Sequence, residues 1–202
     1  GQLGGIKAAV KSSVAESLRR LRRSRVILIQ LHNSITRERG EQPTSITPRD
    51  VLGSGGVLEV FEELKRDGRV EHFGLTGLGD AGALEEVIRS GPWATVQVCK
   101  NVLDTQPPRG EELRERTAVG EDPMVSLCAS RGIGLIAIRV LAGGALAGQP
   151  PSAHTFTTKF FPLAQYRQDE QSAARLAKLI PPSMSLKELA IRYVLSDPQI
   201  AT

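Results

Sequence analysis

Short apolar runs alternate with amphipathic helical segments along most of this chain. The run from Val26 to His32 precedes a helical pattern at residues 57–68, and the run from Val70 to Leu75 precedes another at residues 80–91. Runs this apolar fit strands that are buried on both faces, as in a parallel sheet. The alternation therefore predicts an α/β protein with a parallel sheet.

The lengths of the connections favour one α/β architecture over another. Helix-to-strand connections are tight, as at residues 67–69 and 131–132, whereas about twenty residues follow His32 and Asn101 before the next long helix. Short loops at one end and long loops at the other are typical of a (β/α)8 barrel, whose site lies at the C-terminal ends of its strands. A doubly wound sheet also fits, but no G-x-G-x-x-G motif opens a helix after a strand.

The number of strands falls short of a closed barrel. A barrel needs eight strands in about 250 residues, and this chain has 202 residues. We predict one domain over residues 1–202, a partial (β/α)8 TIM barrel with about five of the eight strands, and part of the fold is expected to be missing. Besides the two runs above, the predicted strands are residues 95–101, residues 133–140 and a strand just begun at residues 199–202.

Composition limits the classes of function. The net charge of +4 comes largely from RRLRRSR at residues 19–25. Clustered arginines can neutralise phosphates. The favoured interpretation is a solvated helix face with Val14, Leu18 and Leu21 turned inward, because the cluster stands alone and only 4% of residues are aromatic. No nucleic-acid partner is therefore predicted.

Neither a membrane nor an oxidising compartment is indicated by the sequence. No apolar run approaches the roughly 20 residues that cross a bilayer. The two cysteines lie far apart and form no metal-type pair with the three histidines. They are interpreted as reduced thiols of a cytoplasmic protein.

Polar residues stand where predicted strands end. His32 closes the first strand, Thr76 follows the second, and Gln97 lies in the third. Because parallel strands end at a common edge, these groups are expected to form a small polar site with apolar walls. The fourth strand runs into LAGGALAG at residues 141–148, whose glycines either expose backbone N–H groups to a phosphate or form only a tight turn. Gln97 alternatively satisfies only a neighbouring carbonyl.

The order of the segments resembles the aldo-keto reductase family. The segments that carry the resemblance are LRRLRRSRVILIQLHN, VLEVFEELKRDGRVEHFGLTG, VQVCKNVLD, RGIGLIAIRVLAGGALAG and LKELAIRYVLSDPQIAT. The resemblance implies a (β/α)8 barrel that binds NADP(H), with NAD(H) not excluded, and reduces a small carbonyl substrate, an aldehyde or ketone, to an alcohol. It also implies that the N-terminal strands and the C-terminal end of the family's barrel are absent.

The same resemblance assigns roles to individual residues. His32 matches the active-site histidine that orients or polarises the substrate carbonyl. Thr76 and Gln97 match residues that hold the nicotinamide carboxamide, while Gly77 replaces an asparagine that would help them. Three residues match the family's pyrophosphate-binding turn: Arg139, Leu141 and Gly143.

Asn33 follows the matched histidine directly. Its side chain either faces the substrate or caps the strand, and the substrate pocket is the favoured interpretation.

Part of the family's catalytic machinery has no match. By the same resemblance, the tyrosine that donates the proton, the lysine that lowers its pKa and the supporting aspartate come from strands and loops before the first helix of this chain, and they are expected to be absent. Lys7 and Lys11 lie in or beside a helix, and Tyr166 and Tyr193 fall in helical regions, so none of them is a substitute. Two hypotheses stay open. The chain is an inactive, truncated portion of an NAD(P)H-dependent reductase, or a non-catalytic dinucleotide-binding or assembly module that associates through its open barrel edge. The substrate's identity and the oligomeric state are not predicted.

Overall fold

The computed structural model describes residues 4–103, 123–148, 153 and 163–201. In chain order, the elements are α1 (Gly4–Leu21), β1 (Val26–Leu31), α2 (Pro48–Leu52), α3 (Val57–Arg66), β2 (Val70–Thr76), α4 (Ala81–Ser90), β3 (Thr95–Cys99), α5 (Pro123–Ser130), β4 (Gly134–Ile138), a 3₁₀ segment (Ala142–Ala147), α6 (Leu163–Leu176) and α7 (Leu186–Leu195). Within the described ranges, no helix is long and apolar enough to span a bilayer.

The strands form one four-stranded sheet in the order β1-β2-β3-β4. β1 pairs with β2 in parallel, and so does β2 with β3, placing Gln30, Gly74 and Thr95 side by side. The predicted α/β class and parallel sheet are confirmed. The predicted fifth strand is a single bridge between Ile200 and Leu135.

Contacts divide the chain into two compact units. The first comprises Gly1–Gln97 and Asp122–Gly134, and the second comprises Val98–Glu121 and Leu135–Thr202. Each unit is described below by itself. The single domain over residues 1–202 stays a prediction.

The core of the first unit lies between the helices and one face of the sheet. Phe73 of β2 packs against Phe61 of α3 with ring centroids 5.6 Å apart, and against Trp93 at 6.0 Å in an edge-to-face contact. The Trp93 indole N–H donates to the carbonyl of Val87 in α4. Helical spacing brings four residues of α3 onto the buried face: Val57, Val60, Phe61 and Leu64.

Ion pairs and two apolar residues attach α1 to α3. Lys7 and Lys11 both pair with Glu63, and Val14 and Leu18 are buried. Leu21, which the sequence predicts to turn inward, is instead 60% exposed. That prediction is wrong because the last turn of α1 lies over a groove beside β1 rather than over a strand.

The second unit has its own apolar cluster around the 3₁₀ segment. Lys100 pairs with Asp197, and its backbone N–H donates to the carbonyl of Ile138 at 3.1 Å. The hydrogen bond from Lys100 and one from the backbone N–H of Gln199 lower the pKa of Asp197. The buried members of the cluster are Ala142, Ala145, Leu146, Tyr166, Ala173 and Ala190.

Candidate functional site

Three side chains from adjacent strands form a hydrogen-bonded row in the first unit. His32 directly follows β1, Thr76 ends β2, and Gln97 is the register partner of Thr76 in β3. His32 Nδ1 lies 3.1 Å from Thr76 Oγ1, which donates to Gln97 Oε1 at 2.6 Å. The structure therefore brings together the three strand-end residues that the sequence singled out. This set is called the polar row below.

Distances in the polar row fix the direction of its hydrogen bonds. A separation of 2.6 Å between Thr76 Oγ1 and Gln97 Oε1 fits an O–H···O bond and is short for N–H···O. The single hydroxyl proton of Thr76 is thus given to Gln97, so His32 Nδ1 donates to Thr76. His32 Nε2 and the two N–H groups of Gln97 Nε2 form no hydrogen bond within the described part of the chain.

Burial differs along the polar row. Thr76 is fully buried and has its hydroxyl hydrogen-bonded on both sides, whereas Gln97 is half-buried and His32 is exposed. A buried hydroxyl needs such partners, since an unpaired one costs free energy. The row is thus anchored at its centre and open at both ends. Within the described ranges, no group of three or more His, Cys, Asp or Glu residues is arranged to hold a metal ion.

A second layer of side chains lies two residues earlier on each strand. Gln30 Nε2 crosses β2 to donate to Thr95 Oγ1 at 2.9 Å. It can do so because Gly74 lies between them: a Cβ there would be 2.2 Å from Thr95 Oγ1 and 2.5 Å from Gln30 Oε1. Sequence reasoning missed this bridge, although the alternation of side chains along a strand places both layers on one face.

Packing explains the glycine that follows Thr76. The backbone N–H of Gly77 donates to the carbonyl of Gln97 at 2.7 Å. A Cβ at Gly77 would lie 2.8 Å from that carbonyl oxygen and 2.8 Å from Met124 Sδ. The resemblance leads one to expect an asparagine at position 77. The space that its side chain would need is occupied by Met124 of α5.

Asn33 holds the loop that follows β1. Its Nδ2 donates to the carbonyl of Thr44 at 2.7 Å, and nearby Ile35 forms backbone bridges with Ile46 and Gly79. This contact belongs to the loop's own structure. The predicted contact between Asn33 and substrate stays a prediction.

An ion pair closes the same loop. Arg39 pairs with Asp50, whose side chain is buried. Burial raises the pKa of Asp50, but hydrogen bonds from Arg39 and from Thr47 together lower it below the usual range. Asp50 also completes a capping box with Thr47 at the start of α2.

The three predicted pyrophosphate-binding residues lie in the second unit, in the turn after β4. Arg139 has a φ of 56° and Gly143 one of 65°, and Ala142 is also left-handed at 49°. Left-handed φ values in residues other than glycine cost free energy and persist only where surrounding contacts hold them. Leu141 is the N-cap of the 3₁₀ segment and packs against the apolar cluster.

Comparisons with known proteins give a consistent result. The sequence model described as the Aldo/keto reductase family matches residues 2–202. An uncharacterized oxidoreductase from Bacillus subtilis, YqkF, is 22% identical over 197 residues, which cover 97% of this chain and 55% of that protein.

Solved structures of the same kind share the fold. The holo form of an aldo-keto reductase from Bacillus halodurans is 25% identical, with a TM-score of 0.64, over 97% of this chain and 53% of that one. An aldo/keto reductase from Klebsiella pneumoniae in complex with NADP and acetate is 19% identical, with a TM-score of 0.54, over 98% and 54% of the two chains. This chain therefore spans about half the length of the relatives that it matches.

Proposed function

The chain belongs to the aldo/keto reductase family, and from this premise we propose that its polar row binds the nicotinamide end of NADP(H) beside a small carbonyl substrate. The general activity of this family is oxidoreductase chemistry on carbonyl compounds. The proposal that His32, Thr76 and Gln97 form the nicotinamide and substrate site rests on the direction of their hydrogen bonds.

The free amide of Gln97 is the observation that carries the proposal. Its Oε1 accepts from Thr76, so both N–H groups of its Nε2 are left to donate. A nicotinamide carboxamide offers a carbonyl oxygen that accepts such a bond. Thr76 acts through Gln97 by fixing which end of the amide is presented. The residues present therefore fit the carboxamide of the cofactor.

His32 is proposed to contact the substrate carbonyl. Its Nδ1 donates to Thr76, which leaves Nε2 for a ligand. On the protonated ring Nε2 carries an N–H that can donate to a carbonyl oxygen and polarise it. The bound cofactor would supply the hydride. Exposure of His32 leaves this side of the polar row accessible to a small molecule.

The remaining assignments extend the same proposal. The turn that contains Arg139, Leu141 and Gly143 is proposed to bind the pyrophosphate through backbone N–H groups, and Asn33 to border the substrate. NADP(H) is favoured over NAD(H) on the family resemblance alone. A cytoplasmic location is proposed because Cys99 and Cys128 are interpreted as reduced thiols.

We expect the polypeptide of residues 1–202, tested by itself, to bind cofactor without reducing carbonyl compounds. General acid catalysis contributes roughly 10²–10⁴-fold. Both tyrosines, Tyr166 and Tyr193, lie on helices of the second unit rather than at a strand end. NADPH-linked reduction of simple aldehydes that is abolished by His32→Ala would contradict this expectation.

Binding of NADPH to the purified chain, followed by fluorescence titration, tests the proposal. Thr76→Val removes the hydroxyl that orients Gln97 and is expected to weaken NADPH binding about fivefold, since one hydrogen bond is worth about 1 kcal/mol.

Thr36→Val is the matched control. Thr36 is equally buried, and its hydroxyl donates to the carbonyl of Glu38 at 2.7 Å, away from the polar row. It is expected to leave NADPH affinity unchanged. Absence of saturable binding by the unaltered chain, or equal weakening by both substitutions, would refute the proposed site.

A further inference from the structure

Arginines cluster at the edge of the first unit where its strands begin. The connection from α1 to β1 contains Arg22, Arg23 and Arg25. Arg69 directly precedes β2, and its carbonyl accepts from the N–H of Val26 at 3.0 Å. Neighbouring strands lie about 4.8 Å apart, so Arg25 and Arg69 hold adjacent positions at the starts of β1 and β2. These four arginines are called the basic edge.

The basic edge differs from the arginines on the helix before it. Arg19 and Arg20 belong to the solvated face of α1, and both pair with Glu16. Of the basic edge, only Arg25 forms an ion pair within the described part of the chain, with Glu71 at 3.6 Å. All four members are exposed. The basic edge therefore presents guanidinium groups that the chain's own carboxylates do not occupy.

Arg22 stands at a position that local folding reserves for glycine. The same two backbone hydrogen bonds close α1, α3 and α5: a left-handed residue donates to the carbonyl three residues back, and the next residue donates to the carbonyl five back. The left-handed residue is Gly68 after α3 and Gly132 after α5, with φ values of 69° and 66°. After α1 it is Arg22, with a φ of 53°. A Cβ makes this conformation costly, so the arginine is not explained by the turn itself.

The helix dipole does not explain the basic edge either. Basic side chains stabilise the C-terminal end of a helix, but the effect falls off within the last turn. Those turns already contain basic residues, which are Arg19 and Arg20 in α1 and Lys65 and Arg66 in α3. The members of the basic edge lie beyond them. Their side chains are therefore available for a partner.

The surroundings of the basic edge favour separate carboxylates over a continuous polyanion. Exposed Asp67 follows α3, and Glu71 lies near the start of β2. A nucleic-acid duplex or an anionic bilayer would bring phosphates against these two carboxylates, and such like-charge contacts are costly. A polypeptide can place neutral residues opposite them. Trp93, which precedes β3, is buried and offers no ring on which a base could stack.

We propose that the basic edge binds an extended acidic segment of a partner protein, with carboxylates at alternate positions of the segment. Alternate side chains of an extended segment lie on one face, and a planar guanidinium binds a carboxylate through two parallel hydrogen bonds. β1 has six residues, so the basic edge lies about 20 Å from the polar row at the opposite ends of the strands. This inference goes beyond the proposed function and does not depend on cofactor binding.

A labelled synthetic peptide tests the basic edge on the full chain of residues 1–202. The peptide has about eight residues, the length of an ordinary strand, and alternates Glu with Ser. Fluorescence anisotropy is expected to show saturable binding that weakens as the ionic strength rises from about 0.01 M to about 0.15 M, because salt screens exposed charges. A peptide with Gln in place of each Glu is expected not to bind. Saturating NADPH is expected not to displace the Glu peptide.

Arg22→Gly separates a binding role from a structural one. Glycine adopts the left-handed conformation without strain, so the midpoint of thermal unfolding should stay the same or rise. Peptide binding should nevertheless weaken about threefold to tenfold, because one guanidinium is lost.

Two glutamine substitutions distinguish the basic edge from the net charge of the chain. Arg69→Gln should weaken peptide binding about threefold to tenfold. Arg49→Gln removes the same charge from an exposed arginine of α2, which follows the loop at the other end of β1. It is expected to leave peptide affinity unchanged.

Several results would overturn the proposal. They are the absence of saturable binding by the Glu peptide, equal binding of the Gln peptide, displacement by NADPH, unchanged affinity in Arg22→Gly, and equal weakening by Arg69→Gln and Arg49→Gln. Tighter binding of duplex DNA or of phosphatidylserine vesicles, weakened by Arg69→Gln, would assign the basic edge to a continuous polyanion and would also overturn it. NADPH titration of the same variants reports separately on the polar row, so failure of one proposal is distinguishable from failure of the other.

Discussion

β1 and β2 are adjacent strands of one sheet with different surroundings. β2 has a neighbour on each side, and its residues from Phe73 to Thr76 are all buried. Among the described residues, β1 has one neighbouring strand, and only Leu31 of its own residues is buried. Two strands of similar apolar sequence therefore differ in burial: β2 is mostly buried and β1 is mostly not. The reason is that burial depends on the strands and helices around each strand.

This difference reaches the candidate site. Thr76, carried by β2, is fully enclosed and hydrogen-bonded on both sides, whereas His32, carried by β1, is exposed. Thr76 is therefore held by neighbours on both sides, whereas His32 lies at the exposed edge and lines a groove between α1 and β1. The following substitutions test whether the two strands differ in this way.

Truncation of a buried residue in β2 should have the largest effect. Leu75 is fully buried, and Leu75→Ala should lower the free energy of unfolding by about 2–5 kcal/mol, because it removes apolar contacts and leaves a cavity. Ile27→Ala in β1 is the matched control and should cost no more than about 0.5 kcal/mol, as is usual for exposed positions. Urea denaturation measures both. Equal losses would remove the distinction between the strands.

A methyl group at Gly74 should destabilise the layer under the polar row. Gly74→Ala places a Cβ against Gln30 Oε1 and against the side chain and carbonyl of Thr95, and overpacking of this kind costs about 1–3 kcal/mol. Gly5→Ala, in open space on α1, should instead be neutral or stabilise by up to about 1 kcal/mol. Thermal unfolding of the two variants compares them. A neutral Gly74→Ala would show that the bridge from Gln30 to Thr95 does not need the glycine.

The attachment of α1 should weaken in acid, with a smaller effect. Hydrogen bonds from Lys11 and Lys7 lower the pKa of Glu63 from the ordinary 4.5 to about 2. A carboxylate whose pKa is depressed by folding contributes stability that is complete above the unfolded value and is lost as the pH falls through the folded one. Hydrogen exchange in α1 should therefore accelerate between about pH 4.5 and pH 2.

Two glutamine substitutions isolate the contribution of Glu63. Glu63→Gln should accelerate α1 exchange at neutral pH and flatten its dependence on acid, whereas Glu62→Gln, at an exposed neighbouring position, should change neither. An unchanged acid response in Glu63→Gln would assign the weakening of α1 to other carboxylates.

The ends of several strands and helices could be predicted from the sequence, because apolar periodicity and capping side chains determine them locally. The strands predicted at residues 26–32 and 70–75 lie at Val26–Leu31 and Val70–Thr76, within one residue of the predicted ends, and α4 begins after the predicted cap Asp80. Convergence of His32, Thr76 and Gln97 followed from the common edge of parallel strands.

Features that depend on a neighbouring strand or helix were not predictable in the same way. The bridge from Gln30 to Thr95 over Gly74 needs the register of three strands. The exposure of Leu21 depends on the absence of a strand beneath the end of α1 among the described residues. A single sequence specifies which residues are apolar, but the elements that cover them are set by tertiary contacts.

The side-chain amide signal of Gln97 in an NMR titration tests the central claim most directly. NADPH added to the chain of residues 1–202 should shift this signal to saturation, while the adenosine bisphosphate half of NADPH, which lacks the nicotinamide, should leave it in place. A Gln97 signal that stays unchanged at saturating NADPH, or that shifts equally with both ligands, would contradict a nicotinamide site on the polar row.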